Sequence, residues 1–223
     1  MAYSRTLFGG LILLLWLGSC APLYIPNRVN TPLLSHQGEL QAGAFIGSAG
    51  FEPQASYAVT NHFGLLLNGS FTPGKADTTK DYSRNNFIEL GLGYYRRLGE
   101  RTRFELFTGY GFGNMYARYN NGYFTDYRDA AMQRVFIQPD IGFSTAVVDG
   151  GLAMRFVVVN ARQGRLSITR SFLEPAVTLK AGFKYIKFVY QFGLSLPLNA
   201  NDLMEQQPFV TSLGAQAYLF KGY

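Results

Sequence analysis

From residue 187 to residue 197 apolar and polar side chains alternate without a break. Phe188, Tyr190, Phe192, Leu194 and Leu196 fall on one side, and Val189, Gln191, Gly193 and Ser195 on the other. A period of two held over that length predicts a β-strand, because successive side chains of a strand point to opposite faces. The stretch before it repeats the pattern: Leu173, Val177, Leu179, Ala181, Phe183 and Tyr185 oppose Glu174, Thr178, Lys180, Gly182 and Lys184. Val135, Ile137, Ile141, Phe143 and Val147 oppose Gln138, Asp140, Gly142 and Ser144 in the same way. Further up, Ile88, Leu90, Leu92 and Tyr94 oppose Glu89, Gly91, Gly93 and Arg97.

Followed along the chain, the alternation predicts ten strands, at about 38–47, 51–60, 63–72, 85–98, 102–118, 131–148, 151–161, 172–185, 187–196 and 207–220. The connections sort by parity. Those after even strands are tight: Asn61-His62, Gly99-Glu100, Asp149-Gly150 and the region of Ile186. Those after odd strands are mostly long and polar: Pro73 to Arg84, Tyr119 to Ala130, Arg162 to Ser171 and Pro197 to Gln206. Short turns at one end and long loops at the other, on an even number of strands, are the mark of a transmembrane barrel. A soluble β-sandwich has no reason to sort its turns this way. The predicted fold is therefore all-β, an antiparallel up-and-down transmembrane β-barrel of about ten strands.

Ahead of the barrel lies a segment with a different logic. Arg5 and the apolar run Leu7 to Leu17 lead to Leu17-Gly18-Ser19-Cys20, which has the form of a lipobox: an aliphatic residue, two small residues, then cysteine. An ordinary export signal needs small residues before its cleavage site but no cysteine after it. The run is also too short for a spanning helix, which takes about twenty apolar residues. Cys20 is the only cysteine, so no intramolecular disulfide can form, and a thioether-linked lipid is the use that remains for it. Residues 1–19 thus read as a lipoprotein signal peptide, 20–37 as a lipidated periplasmic tether and 38–223 as the barrel. The tether reading rests on the absence of any period in 21–37 and on Pro22, Pro26 and Pro32. No acidic residue follows Cys20 in Ala21-Pro22-Leu23, from which retention at the outer membrane, on its periplasmic side, is expected.

Composition narrows the reading. Without Arg5 the basic residues number 19 against 14 acids. For an exported chain that balance excludes nucleic acid as a partner and favours lipid and lipopolysaccharide phosphates. Aromatic residues at 16 % beside charged residues at 15 % suit a barrel with an aromatic girdle.

Short echoes recur in the even strands. Phe87-Ile88-Glu89, Phe136-Ile137-Gln138 and Phe172-Leu173-Glu174 repeat, and Glu52-Pro53, Gln138-Pro139, Glu174-Pro175 and Gln207-Pro208 share a dipeptide. They read either as a ring of luminal Glu and Gln groups or as hairpin duplication with prolines at the starts of strands. Other runs carry a resemblance. Tyr24-Ile25-Pro26-Asn27, Pro32-Leu33-Leu34, Gly38-Glu39, the stretch Gln54 to Thr60 with His62, Gly91-Leu92-Gly93-Tyr94-Tyr95, Gly109-Tyr110-Gly111-Phe112-Gly113 and Gln207-Pro208-Phe209 resemble a family of uncharacterised bacterial outer-membrane β-barrel lipoproteins. The resemblance covers nearly the whole mature chain and implies fold and location. It supplies no activity.

Candidate chemistry is sparse. The two histidines, His36 in the tether and His62 in a turn, sit at no expected outer rim, and no catalytic residue, cofactor or metal site is called. His62 keeps a membrane-embedded acyl hydrolase as a remote alternative. Gly109-x-Gly-x-Gly is no phosphate cradle, since no helix follows it; inward glycines make room for large luminal side chains. The informative set is the inward ionisable residues. Glu52, Glu89, Asp140 and Glu174 are expected toward the outer half, and Arg97, Arg155, Lys180 and Lys184 toward the inner half, as a paired luminal network. With Phe45, Phe87, Tyr95, Phe107, Phe136 and Tyr218 also inward, the lumen is expected to be filled. The expected function is structural or partner-binding in the cell envelope, with a narrow channel as the alternative. Arg and Tyr residues of the external loops would meet lipopolysaccharide or a protein partner.

Overall fold

The computed structural model describes residues 22–72, 81–120, 125–199 and 204–219. Cys20 and the signal peptide lie outside those residues, as do Lys75, Lys80, Tyr123 and Phe124 of the expected loops. The strands are β1 (Leu40–Gly47), β2 (Gly50–Ala58), β3 (Phe63–Phe71), β4 (Tyr82–Arg97), β5 (Thr102–Asn120), β6 (Thr125–Ser144), β7 (Val148–Gln163), β8 (Leu166–Gly182), β9 (Ile186–Leu194), β10 (Leu196–Pro197) and β11 (Phe209–Leu219). Each pairs antiparallel with its sequence neighbour, β10 being a two-residue continuation of β9 against β8. β9 pairs with β11 and β11 with β1, so the sheet closes into an up-and-down barrel of ten long strands.

Closure follows from the alternation. Leu92, Leu152 and Phe188 point outward and are 55 %, 57 % and 67 % exposed, while the residues on either side of each are buried inside. An outward surface this apolar can face only hydrocarbon, and a closed ladder is the β-structure that leaves no backbone edge unsatisfied there. Near one end aromatic rings crowd the outer face, Phe63 packing edge-on to Tyr94 at 5.9 Å. The strand count is even, so the barrel's first and last strands begin and end together, Leu40 opposite Leu219, at the mouth that carries the short turns. That end is called the turn mouth below, and the other the hairpin mouth.

Two sequence expectations change. The loops expected at Tyr119 to Ala130 and Arg162 to Ser171 are largely strand: β5 runs to Asn120, β6 starts at Thr125, and β7 and β8 meet at Gly164-Arg165, with Gly164 at φ 60°. At 19 and 20 residues, β5 and β6 far exceed the roughly 9–11 residues that cross a bilayer. The reason they read as loops is an inversion of pattern. Along β7, Leu152, Met154, Phe156 and Val158 face outward, but beyond them the outward positions are Asn160 and Arg162, and Val157, Val159 and Ala161 turn inward. Past the hydrocarbon edge the pattern along β7 becomes that of a water-soluble sheet, apolar inside and polar outside. The expected prolines at strand starts also shift. Pro53 and Pro139 sit inside β2 and β6, where the ladders with β3 and β7 skip a step, as a residue without an N–H requires.

The larger change concerns residues 22–37 of the segment expected to be a tether. The expected tether is a plug. Leu23, Tyr24, Ile25, Asn27 to Thr31, Leu33 and Leu34 are all at most 5 % exposed and thread the lumen. Tyr24 forms a short parallel bridge with Gln206 at the hairpin mouth, while Leu33 and Leu34 reach Glu105 near the turn mouth. Gly38, at φ 84°, then turns the chain outward into β1. Ten residues of extended chain span at most about 35 Å, enough to cross the barrel. The prolines that argue against helix and strand here suit an extended strap, which has fewer N–H groups to satisfy inside.

Candidate functional site: the plugged lumen

The hairpin mouth is closed by an apolar cluster in which Leu23, Tyr24 and Met204 pack with Met115, Ala117, Met132, Val159 and Phe172. The Tyr24 ring stacks on Phe172 with centroids 4.7 Å apart. Below that cap the lining turns polar, and its residues come from strands whose inward positions face the plug.

Two arginines and two glutamates form the centre. Arg155 donates to Glu174 from Nη2 at 2.6 Å and from Nε at 2.9 Å, as their direct opposition across β7 and β8 requires. Arg134 donates to Glu89 through Nε at 2.6 Å and also through Nη2. Glu89 lies 3.8 Å from Arg155 as well, so the four charges are linked and balance. The plug sits among them. Both arginines donate to Asn27 Oδ1, at 2.6 and 2.9 Å, and Arg155 also reaches the Asn27 carbonyl. The Tyr24 hydroxyl donates to Glu174 at 2.9 Å and accepts from Arg134 at 3.1 Å. Charges this deep persist because each is paired and hydrogen-bonded.

Further down, luminal side chains stand in for a neighbouring strand. Gln191 accepts from Val29 N and donates to Val29 O, both at 2.8 Å. Glu52 accepts from Arg28 N at 2.6 Å, and Gln54 donates to Arg28 O at 2.9 Å. The Arg28 guanidinium lies 3.6 Å over the Phe45 ring. Asn30 bonds Asn68 at 2.8 Å, and Gln138 donates to Asn30 O. Lys180 Nζ donates to Thr31 O at 2.8 Å, and the Glu105 carboxylate accepts from Leu33 N and Leu34 N. The backbone groups of an extended, strand-like peptide are thus met by side chains, which is what a buried peptide demands. Beside Asn27, Arg155 and Gln191 a remaining cavity holds only about 10 Å³, at the lower limit for one water.

Of the residues expected in the luminal network, Glu89, Asp140, Glu174, Arg155 and Lys180 are buried in it. Arg97 and Lys184 are not: Arg97 is exposed at the very end of β4, and Lys184 lies in the β8–β9 turn with its ammonium 5.3 Å from the Tyr185 ring. Their inward parity is real, but the barrel ends before they could use it. The expected division into acidic and basic halves also fails, since Arg155 pairs across to Glu174 and Asp140 sits opposite Glu105 toward the turn mouth. Arg134, Glu105, Arg28 and the Lys187–Asp149 pair, at 2.7 Å, are luminal charges beyond those expected. Parity with Phe136, Phe107 and Val189 would have found Arg134, Glu105 and Lys187. No signal in 22–37 announces Arg28 as luminal. The inward aromatics Phe45, Phe87, Tyr95, Phe107, Phe136 and Tyr218 are all buried. Glycines make their room: a Cβ on Gly109 would lie 2.3 Å from the Phe136 ring, and one on Gly93 2.3 Å from Phe107.

Neither histidine enters the lumen. His62 is exposed and stacks on Tyr94 at 5.8 Å. His36 faces Ser35 Oγ at 3.0 Å and Glu39 at 3.5 Å through the same nitrogen, Nδ1, while Ser35 donates directly to Glu39. A relay needs the hydroxyl and the carboxylate on opposite ring nitrogens, so this group reads as a clasp on the turn that leads into β1.

No family model matches the chain, and no curated protein does. Among solved structures it is similar to the N-terminal β-barrel domain of Pseudomonas aeruginosa OprF, at 13 % identity and a TM-score of 0.39, over 82 % of this chain and 98 % of that one.

Proposed function

We propose that the protein is an outer-membrane β-barrel lipoprotein, acylated at Cys20, whose sealed barrel serves a structural or partner-binding role in the cell envelope. The observation that carries this reading is the plug: the lumen is occupied along its length by the chain's own residues 23–34, pinned at Asn27 by Arg134 and Arg155. A lumen built for passage keeps water along its axis, whereas here the luminal groups are spent on the plug's backbone. The apolar outer band and the short turns at one end support placement in an outer membrane, and the resemblance to outer-membrane barrel lipoproteins agrees. The lipobox Leu17-Gly18-Ser19-Cys20 supports the acyl anchor. A binding role has its surface at the hairpin mouth, where Arg84 lies 5.7 Å over the Tyr116 ring and Tyr82 packs beside it; Arg and Tyr side chains of this kind suit lipopolysaccharide or a protein partner.

The test has two arms. Purified protein inserted in planar bilayers is expected to show no steady conductance, and discrete, reproducible current steps would make the protein a channel instead. Metabolic labelling with palmitate is expected to mark the protein and to fail in Cys20→Ser. Label surviving that substitution would end the lipoprotein reading.

A further inference from the structure

The path of the plug fixes where the chain's N-terminal side emerges. Residues 24 to 34 run through the lumen from the hairpin mouth to the turn mouth, and the barrel's own first and last strands lie at the turn mouth. Pro22, half-buried, therefore stands at the hairpin mouth, beyond Leu23 and Tyr24, which are fixed in the apolar cap. The bridge from Tyr24 to the 205–207 backbone, with Tyr24 N donating to Glu205 O at 2.9 Å and Gln207 N to Tyr24 O at 3.0 Å, holds this exit in place.

That mouth bears the marks of the outer side. The hairpins β5–β6 and β7–β8 project past the hydrocarbon edge there, with Gln133, Arg162 and Thr169 outward and exposed, while the opposite mouth carries only short turns. Outer-membrane barrels place their short turns in the periplasm and their long connections outside. Cys20 precedes Pro22 by two residues, which span at most about 7 Å. The bridge partner Gln206 is itself only three residues before Phe209, the first residue of β11, so this exit lies close to where the barrel wall begins.

We propose that the acyl group on Cys20 is seated in the outer leaflet, so that the protein is a surface-anchored lipoprotein whose mature N-terminus has been threaded outward through its own barrel. The proposal rests on the lipidation reading above, and it reverses the sequence-based expectation of a periplasmic tether. A periplasmic anchor would require the chain from Cys20 to Leu34 to traverse the lumen twice or the plug to leave it, and leaving it strands the Arg134–Glu89–Arg155–Glu174 group without Asn27 and Tyr24. The partner is thus the outer leaflet itself, acyl chains within and anionic phosphates at its surface.

The experiment places a specific protease site between Ala21 and Pro22 of the full chain, in cells fed labelled palmitate, with a second variant carrying the site at Arg165 and a third at Glu100. Folding of each is checked by the shift between unheated and boiled samples on a detergent gel. Protease added to intact cells is expected to strip the palmitate label from the barrel of the first variant and to cut the Arg165 variant, leaving the Glu100 variant whole until the cells are permeabilised. Label retained on the first variant until permeabilisation, with Arg165 cut from outside, would place the anchor in the periplasm and overturn the proposal. Cleavage at Glu100 but not at Arg165 in intact cells would invert the barrel and overturn it equally. Absence of palmitate label before any protease, with the first variant still cut from outside, would sink lipidation while leaving the outward N-terminus standing. Should the insertion prevent folding, Pro22→Cys with a membrane-impermeant maleimide reads the same topology: reaction on intact cells supports the proposal, and reaction only after permeabilisation refutes it.

Discussion

Removing the Glu174 carboxylate tests whether the luminal charges hold the plug. Glu174 takes two hydrogen bonds from Arg155, at 2.6 and 2.9 Å, and one from the Tyr24 hydroxyl at 2.9 Å. In Glu174→Ala the Arg155 guanidinium, fully buried, keeps only the more distant Glu89 at 3.8 Å and its bonds to Asn27. Breaking a buried pair on one side costs about 3–5 kcal/mol, because the remaining charge is left without compensation. Glu89 is already shared with Arg134 and can offset part of that, so the lower half of the range is the expectation. The Tyr24 hydroxyl also loses its acceptor, adding about 1–3 kcal/mol if no water replaces it. Equilibrium unfolding by denaturant of the protein in lipid vesicles measures the sum. The diagnostic partner is Glu174→Ala combined with Arg155→Met: if the cost is an orphaned charge, the double variant should be no less stable than Glu174→Ala alone. A single variant within about 0.5 kcal/mol of wild type, or single-site costs that simply add, would refute the paired-charge account.

Other perturbations separate the faces of the barrel. Leu92→Arg, on the exposed apolar band, should cost about 2–4 kcal/mol near mid-membrane, measured by the same unfolding assay. Thr178→Arg, inward and accepting from Gln191 at 2.6 Å, should be no cheaper, because the plug leaves no luminal space for it; a near-neutral Thr178→Arg would mean the lumen is open there. Gly109→Ala sets a Cβ 2.3 Å from the Phe136 ring and the Leu90 carbonyl. It should destabilise by about 1–3 kcal/mol through overpacking, with partial recovery on adding Phe136→Leu. Glu105→Ala removes the acceptor for Leu33 N and Leu34 N and should raise hydrogen exchange at those two amides ahead of the β-ladder amides. Equal exchange in variant and wild type would show that the plug's lower end is held by something else.

The barrel was legible because a lipid-facing strand must alternate, and Leu92, Leu152 and Phe192 do so against Gly93, Ala153 and Gln191. The projecting hairpins were not, since the alternation changes sign at the membrane edge: Val158 is outward and Val159 inward, and a reading that expects apolar residues outside loses the strand at that step. Arg134 and Glu105 could have been placed by parity alone. Arg97 and Lys184 were misplaced by it, because parity says which way a side chain points and nothing about where the wall ends. The plug had no sequence signature. Its backbone is satisfied by Gln191, Gln54, Glu52 and Glu105, residues far away along the chain, so neither period nor turn chemistry in 22–37 records the structure.

The central claim is that residues 23–34 occupy the lumen, and a disulfide tests it most directly. A Cβ built on Gly151 of β7 lies 2.9 Å from Thr31 Cγ2. One further carbon bond brings the two Cβ atoms within reach of the roughly 3.5–4.5 Å that a disulfide spans. Under oxidising conditions, Thr31→Cys with Gly151→Cys should close on itself. The folded protein should then take up no high-mass maleimide until reductant is added, while the control pair Thr31→Cys with Leu152→Cys, whose second site faces lipid, should not cross-link. Free thiols at both positions in the Thr31→Cys, Gly151→Cys protein, in a barrel that still shifts on boiling, would place the segment outside the lumen and contradict the account.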